Sequence, residues 1–327
     1  MQLQKTFNLF ISIIFFSLLL ISCDDNQNSV IKKEIDKIDL KLEVERFDQK
    51  FNNLDSVSVF KLKSAYPYLF SEKLNDGFWV EKSKDTLHNE LVSEVKKVFP
   101  IDNTLDSDIS TMLKYLRYYY PQINIPKVVS LISSVDYRNR VILTKELLLL
   151  SFDCYLGSDH YFYYDIDKYL RDDFSKSFIL SDIGMEYAKK IIARPDNRDF
   201  ISQMIMFGKR YYLLSKILPD SSRSNLLSYN SDEYSWLEAN EAFIWRYFIE
   251  KDMLYSTDKN LLPRFVYPAP FSKFYLELDQ QSPDRVGQYI GFKIVLAFMS
   301  NNNVSLQELM EIDSKTIFES SKFKPKK

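Results

Sequence analysis

The densest run of chemically capable side chains in this sequence is Asp153-Cys154-Tyr155-Leu156-Gly157-Ser158-Asp159-His160-Tyr161-Phe162-Tyr163-Tyr164-Asp165-Ile166-Asp167. It holds four carboxylates, an imidazole and four tyrosines. Carboxylates are the hard oxygen ligands that calcium takes, and aromatic rings offer a glycan a stacking face. A loop that follows a strand is also a usual place for a site. Asp153, Asp159, His160, Tyr161 and Asp165 are therefore the candidate ligand or partner surface. Against this, the spacing matches no metal-binding template. The same stretch reads as a surface loop whose tyrosines pack inward and whose acids cap the next helix.

The other candidates narrow the chemistry. The chain has two histidines, His88 and His160. Neither HExxH nor a histidine pair at ligand spacing occurs, which argues against a histidine-based zinc site. His88 falls on the polar side of its helix and is expected to be solvated. GxGxxG, P-loop, GxSxG and EF-hand patterns are also missing, so nothing points to a nucleotide, an acyl-transfer elbow or any cofactor. Glu238 and Glu241 lie three apart on one helix and could do acid–base work, but no opposing partner is evident. They read as a solvated face. Gly287-Gln-Tyr-Ile-Gly291 has GxxxG spacing in a helix too short and polar to span a membrane, so close packing inside the fold is expected.

One further residue carries chemistry of a different kind. Leu9 to Ile21 is apolar apart from Ser12 and Ser17, and it ends at Leu20-Ile21-Ser22-Cys23. That ending has the Leu–aliphatic–small–Cys form of a bacterial lipobox, in which the cysteine thiol is lipidated and the chain is cut before it. Each buried methylene is worth about 0.8 kcal/mol, and one acyl chain alone holds a protein only marginally. The three chains of a mature lipoprotein hold it firmly. Residues 1–22 are thus expected to be a signal peptide and 23–35 a polar tether. Everything after Cys23 is expected on the non-cytoplasmic side of the cell envelope, attached to a membrane through that lipid. Cys154 is then left alone, buried beside a core strand, and no intramolecular disulfide is expected.

The elements that must position these residues read as follows. The 327-residue chain carries a net charge of −2, which exerts no broad pull on nucleic acid. Its basic end, Lys322 to Lys327, reads as a solvated, frayed tail or a contact for lipid headgroups. Ile38 to Glu45 alternates with period two and predicts a strand. Residues 85–100 and 103–120 predict helices, the first with Leu87, Leu91 and Val95 on one face. Short β-rich runs at 127–133, 140–143 and 147–152 predict a small sheet with hairpin-like connections. Helices follow at 182–193, 198–217, 231–250, 283–300 and 304–321. Ser282-Pro283-Asp284 suggests a helix start, and Ser305 to Glu308 a capping box. The expected fold is α+β, predominantly α-helical with a small β-sheet, in a single domain over 36–327.

Several segments resemble the GldB family of gliding-motility lipoproteins of the Bacteroidota. The most specific is Arg264-Phe-Val-Tyr-Pro-Ala-Pro270 followed by Ser282-Pro-Asp-Arg285-Val-Gly287-Gln-Tyr-Ile-Gly291. Glu45-Arg46-Phe47-Asp48, Tyr66-Pro67-Tyr-Leu-Phe70, Tyr155 to Tyr161 and Phe207-Gly208-Lys209 also agree, as does the lipobox. Asp284 departs from the family, which generally has glycine there. The resemblance implies a non-enzymatic, lipid-anchored scaffold or stabilising component of the gliding machinery, linked to type IX secretion, whose partners are other envelope proteins. It also implies a distant kinship with zincin-type peptidases. Such an enzyme needs histidines that this chain lacks, so a degenerate, non-catalytic zincin-like core is the expectation. The alternative is an envelope glycan- or metal-binding protein, or an enzyme, that uses the Asp153–Asp167 loop.

Overall fold

The computed structural model describes residues 30–101, 104–277 and 279–326. Its sheet begins with β1 (Val44–Arg46) and continues with β2 (Lys127–Leu131), β3 (Val141–Leu143) and β4 (Leu147–Ser151), in the order β1-β2-β4-β3. β1, β2 and β4 are parallel, and β3 turns back antiparallel on β4. The hairpin expectation therefore describes β3–β4, whereas the parallel pairs need long crossovers. The crossover from β1 to β2 contains α1 (Ser56–Ala65), α2 (Asp76–Lys84), α3 (Thr86–Val98) and α4 (Thr104–Tyr119). Side chains alternate across the strands. Val128, Leu148 and Leu150 face the main core, while Val129 meets Phe47, Phe51, Leu62 and Phe70 in a smaller one.

Along Ile38–Glu45 the strand is far shorter than its alternation predicts. Val44 pairs with Val128 and β2 starts at Lys127, so the backbone before Glu43 runs past the end of its partner and has no ladder to join. The expected polar tether likewise ends early, because residues 30–36 are helical and Ile35 is buried. Leu91 and Val95 are buried as predicted, but Leu87 is half exposed. His88, expected in solvent, is buried instead. Its Nε2 lies 2.8 Å from the Phe51 carbonyl oxygen, and its ring stands edge-on to Phe51.

The second half is a packed set of helices: α5 (Ile179–Ile191), α6 (Phe200–Ile217), α7 (Ser231–Glu250), α8 (Val286–Asn301), α9 (Leu306–Glu311) and α10 (Ser314–Ser321). Asn230 and Glu233 form a capping box on α7, and Ser305 and Glu308 form the predicted one on α9. The single helix expected over 304–321 divides because Asp313 caps a new start, accepting the Thr316 N–H at 2.9 Å. The α6–α8 crossing explains the glycine spacing. A Cβ on Gly208 would sit 2.2 Å from the Gly291 carbonyl oxygen, and one on Gly291 only 1.8 Å from that of Met204. Backbone meets backbone there, which glycine alone permits. Beside the crossing, Lys209 donates to the carbonyls of Met310 and Ile312, and Arg210 to those of Ile192 and Ala193. Both cations thus close the C-terminal ends of neighbouring helices.

The helix start expected at Ser282-Pro283-Asp284 lies further on. α8 begins at Val286, and its cap residue, Arg285, takes a left-handed φ of 51° with no side-chain cap. The basic end is not frayed over its described part. Lys326 donates its N–H to Glu241 at 3.0 Å, and Phe323 packs edge-on against Trp245. Glu241 itself, read as solvated, is 1% exposed and also accepts from Tyr289 at 2.8 Å and pairs with Lys293 at 3.1 Å. This α+β architecture is predominantly helical, as expected. A zincin-type core is not established by its topology.

Candidate functional site

The candidate residues of the Asp153–Asp167 stretch do not converge. Asp153 is fully buried, and its carboxylate accepts the backbone N–H groups of Ser133 at 3.0 Å and Val135 at 2.7 Å. It pins a turn after β2 in which Ser134 and Val135 both take positive φ, a conformation a β-branched residue rarely adopts. Burial pushes its carboxyl upward against those hydrogen bonds. Asp153 therefore cannot belong to a surface, and that expectation is corrected. Asp159 points to solvent and reaches Arg171 at 3.2 Å. His160 lies 3.4 Å from Glu94 on α3 and stacks on Tyr161, which is half exposed. Asp165 is exposed. The inward-packing reading describes Tyr155 and Tyr163, both buried; the Tyr163 hydroxyl donates to the Asp153 carbonyl at 2.6 Å. Cys154 is buried as expected, and burial pushes its thiol far above the usual range.

The end of that stretch does reach a cavity. Asp167, Lys168, Tyr169, Asp172 and Asp173 form one wall of a cleft of about 710 Å³. Asp232, Glu233 and Trp236, on the first turns of α7, form the facing wall. The floor is Ser228, Asp284 and Arg285, and the rim is closed by Pro270 and Gln280 to Pro283. The segment that carries the most specific resemblance thus builds the floor and the rim.

Arg285 is held in place rather than presented. Its Nε donates to Asp284 at 2.8 Å, its Nη2 to the Ser228 carbonyl at 3.0 Å, and its guanidinium lies over the Tyr229 ring. Asp284 also accepts the Ala269 N–H at 3.2 Å. A glycine at 284 would leave Arg285 without this acid. Asp173 is engaged by Arg140, which donates at 2.9 and 2.8 Å, and Asp172 by Lys168 at 2.6 Å. Asp167 and Asp232 have no ion pair among the described residues, nor does Glu233, whose carboxyl is raised by burial. The cleft is therefore acidic toward whatever enters it.

A second hollow of about 290 Å³ adjoins the cleft and shares Trp236, Gln281 and Ser282 with it. Phe243, Phe274 and Leu276 make its apolar wall, and Asn240, Glu277 and Asp279 complete the lining. Phe274 is buried, while Phe243 and Leu276 keep 39% and 49% of their surface exposed. Together they leave an apolar patch directly beside the acidic cleft.

Sequence reasoning found Asp167 and the Ser282–Arg285 segment but not their meeting with α7. Trp236 was not singled out. The available signal was the spacing Glu233, Trp236, Asn240, Phe243, which is one helical stripe that changes from acidic to aromatic. Cys23, with its lipobox, lies outside the described residues. Among the described residues, no helix is long and apolar enough to cross a membrane. No group of three or more His, Cys, Asp or Glu side chains among them could hold a metal ion.

Comparison with known protein families matches residues 28–325 to the family described as gliding motility protein GldB. No curated protein and no solved structure matches the chain.

Proposed function

The chain belongs to the gliding motility protein GldB family, and we propose that it is a lipid-anchored envelope component that holds other proteins of the gliding and type IX secretion machinery without catalysing a reaction. The match over residues 28–325 carries this reading, since it spans nearly all of the chain that follows Cys23. The cleft supports it. Its cations Lys168 and Arg285 are tied to Asp172 and Asp284, whereas Asp167, Asp232 and Glu233 have no ion pair among the described residues and are left to meet a partner, which is the arrangement of a recognition surface.

Placement supports it too. Ile31 lines a groove with Leu296 and Met299 on the later turns of α8, whereas the cleft floor lies just before that helix starts. At 1.5 Å per residue, Arg285 and Leu296 are about 16 Å apart along the axis. The seven chain steps from Val30 back to Cys23 span at most about 25 Å. A lipid at Cys23 would therefore attach within about 25 Å of the groove end of α8, the end away from the cleft.

Radiolabelled palmitate and cell fractionation test the anchor. The wild-type protein should take up label and sediment with membranes, and Cys23→Ala should do neither. Equal labelling or equal membrane recovery of the variant would contradict the proposal.

A further inference from the structure

The cleft and the apolar hollow lie end to end along α7, and the stripe that joins them has a definite polarity. Glu233, Trp236, Asn240 and Phe243 follow one another at three- and four-residue spacing, so they share one face of the helix. Asp232 and Glu233 stand at the acidic end, and Phe243 with Leu276 at the apolar end. Trp236 forms a wall of both spaces. From Glu233 to Phe243 the helix rises about 15 Å, which an extended peptide covers in four to five residues at about 3.3 Å each.

Resting on the reading of this protein as a partner-holding component, we infer that the stripe binds an extended segment of a partner protein in which a lysine or arginine lies about four residues from a large apolar side chain. The cation seats between Asp232, Glu233 and Asp167, and the apolar side chain fills the hollow against Phe243 and Leu276. Trp236 lies under the backbone between them. Three features select this occupant. Three acids of the cleft have no ion pair among the described residues, although Asp172, Asp173 and Asp284 already hold Lys168, Arg140 and Arg285. An anionic or phosphorylated segment would meet them as like charges. Phe243, Phe274 and Leu276 give the hollow an apolar wall that a uniformly basic tail would leave unfilled, so charge alone does not define the partner. Glu233 is partly withdrawn from water, and a guanidinium arriving there would restore favourable solvation to its carboxylate.

The test uses the full-length protein in detergent and the synthetic peptide acetyl-GRGSGFG-amide, followed by calorimetry. Two control peptides replace its arginine with citrulline or its phenylalanine with serine. The arginine–phenylalanine peptide should bind at least tenfold more tightly than either control, a difference of about 1.4 kcal/mol. Asp232→Asn combined with Glu233→Gln should remove the preference for arginine over citrulline while leaving the preference for phenylalanine over serine unchanged. Glutamine at 233 keeps the α7 capping box, and circular dichroism verifies that the variant folds. Raised salt should weaken the arginine peptide more than the citrulline one. Equal binding of all three peptides, no measurable binding, or an arginine preference that survives the double variant would each overturn the inference. Any of these, with palmitate labelling and membrane recovery intact, would remove this docking mode and leave the anchored component standing.

Discussion

At the scale of single residues, the segments that carry the family resemblance turn out to act mainly through buried polar contacts. Arg46 donates to both carboxylate oxygens of Asp48, at 2.9 and 2.8 Å, and also to the Phe99 carbonyl at 3.0 Å. Asp48 is 1% exposed and also accepts from Ser130. A buried pair of this kind adds little over a well-packed apolar pair, but loss of one member leaves the other charge stranded. Asp48→Ala should therefore destabilise the protein by about 3 kcal/mol. The double variant Arg46→Met with Asp48→Leu should recover much of that loss. Urea midpoints measure both, and a single variant within about 0.5 kcal/mol of wild type would show that the pair is not needed. These roles were hidden in the sequence for a physical reason. Arg46 and Asp48 read as ordinary surface charges until the fold brings Ser130 and Phe99 against them, and Asp153 reads as a ligand until its turn closes around it. Cys154 was legible because an apolar run directly precedes it.

At the scale of elements, helices were read well and the first strand poorly. Amphipathic spacing is local, so α3, α4, α6 and α7 fall within a few residues of their predicted spans. A strand depends on its neighbour, and the alternation at Ile38–Glu45 could not reveal where β2 would begin. GxxxG spacing did announce a close approach, but not which helix approached. The α6–α8 crossing now gives graded expectations. Gly291→Ala would place a methyl 1.8 Å from the Met204 oxygen, so it should cost more than about 3 kcal/mol or abolish folding. Gly287→Ala meets the Phe265 oxygen at 2.9 Å and should cost about 1–2 kcal/mol, because a small shift relieves it. Thermal unfolding of the pair measures the order. If Gly287→Ala were the worse of the two, the crossing would not be the tightest contact of the helical half.

At the scale of the whole molecule, the many tyrosines give a pH signature. Tyr211 and Tyr119 are held neutral by burial, which pushes each up to about 12 from an ordinary value of 10. A raised folded-state value contributes stability that is fully present below pH 10, where both states keep the proton. As pH climbs from 10 toward 12 the unfolded chain ionises and the folded one does not, so stability falls across that window. Absorbance at 295 nm should show a late tyrosine step that coincides with loss of circular dichroism. Gradual ionisation with the fold intact would mean that these rings are open to solvent. Among the described residues the molecule also sets its two ends apart, with Ile31 in a groove beside the later turns of α8 and the acidic–aromatic stripe beyond its start. The helices were legible from local spacing, whereas the stripe needed three distant segments to meet. The central claim is that an anchored chain works in gliding because it is anchored. The most direct measurement is colony spreading of a clean deletion strain complemented with wild-type or Cys23→Ala genes at matched protein abundance. The account predicts that wild type restores spreading and Cys23→Ala does not. Full spreading restored by an unlipidated, delocalised Cys23→Ala protein would contradict it.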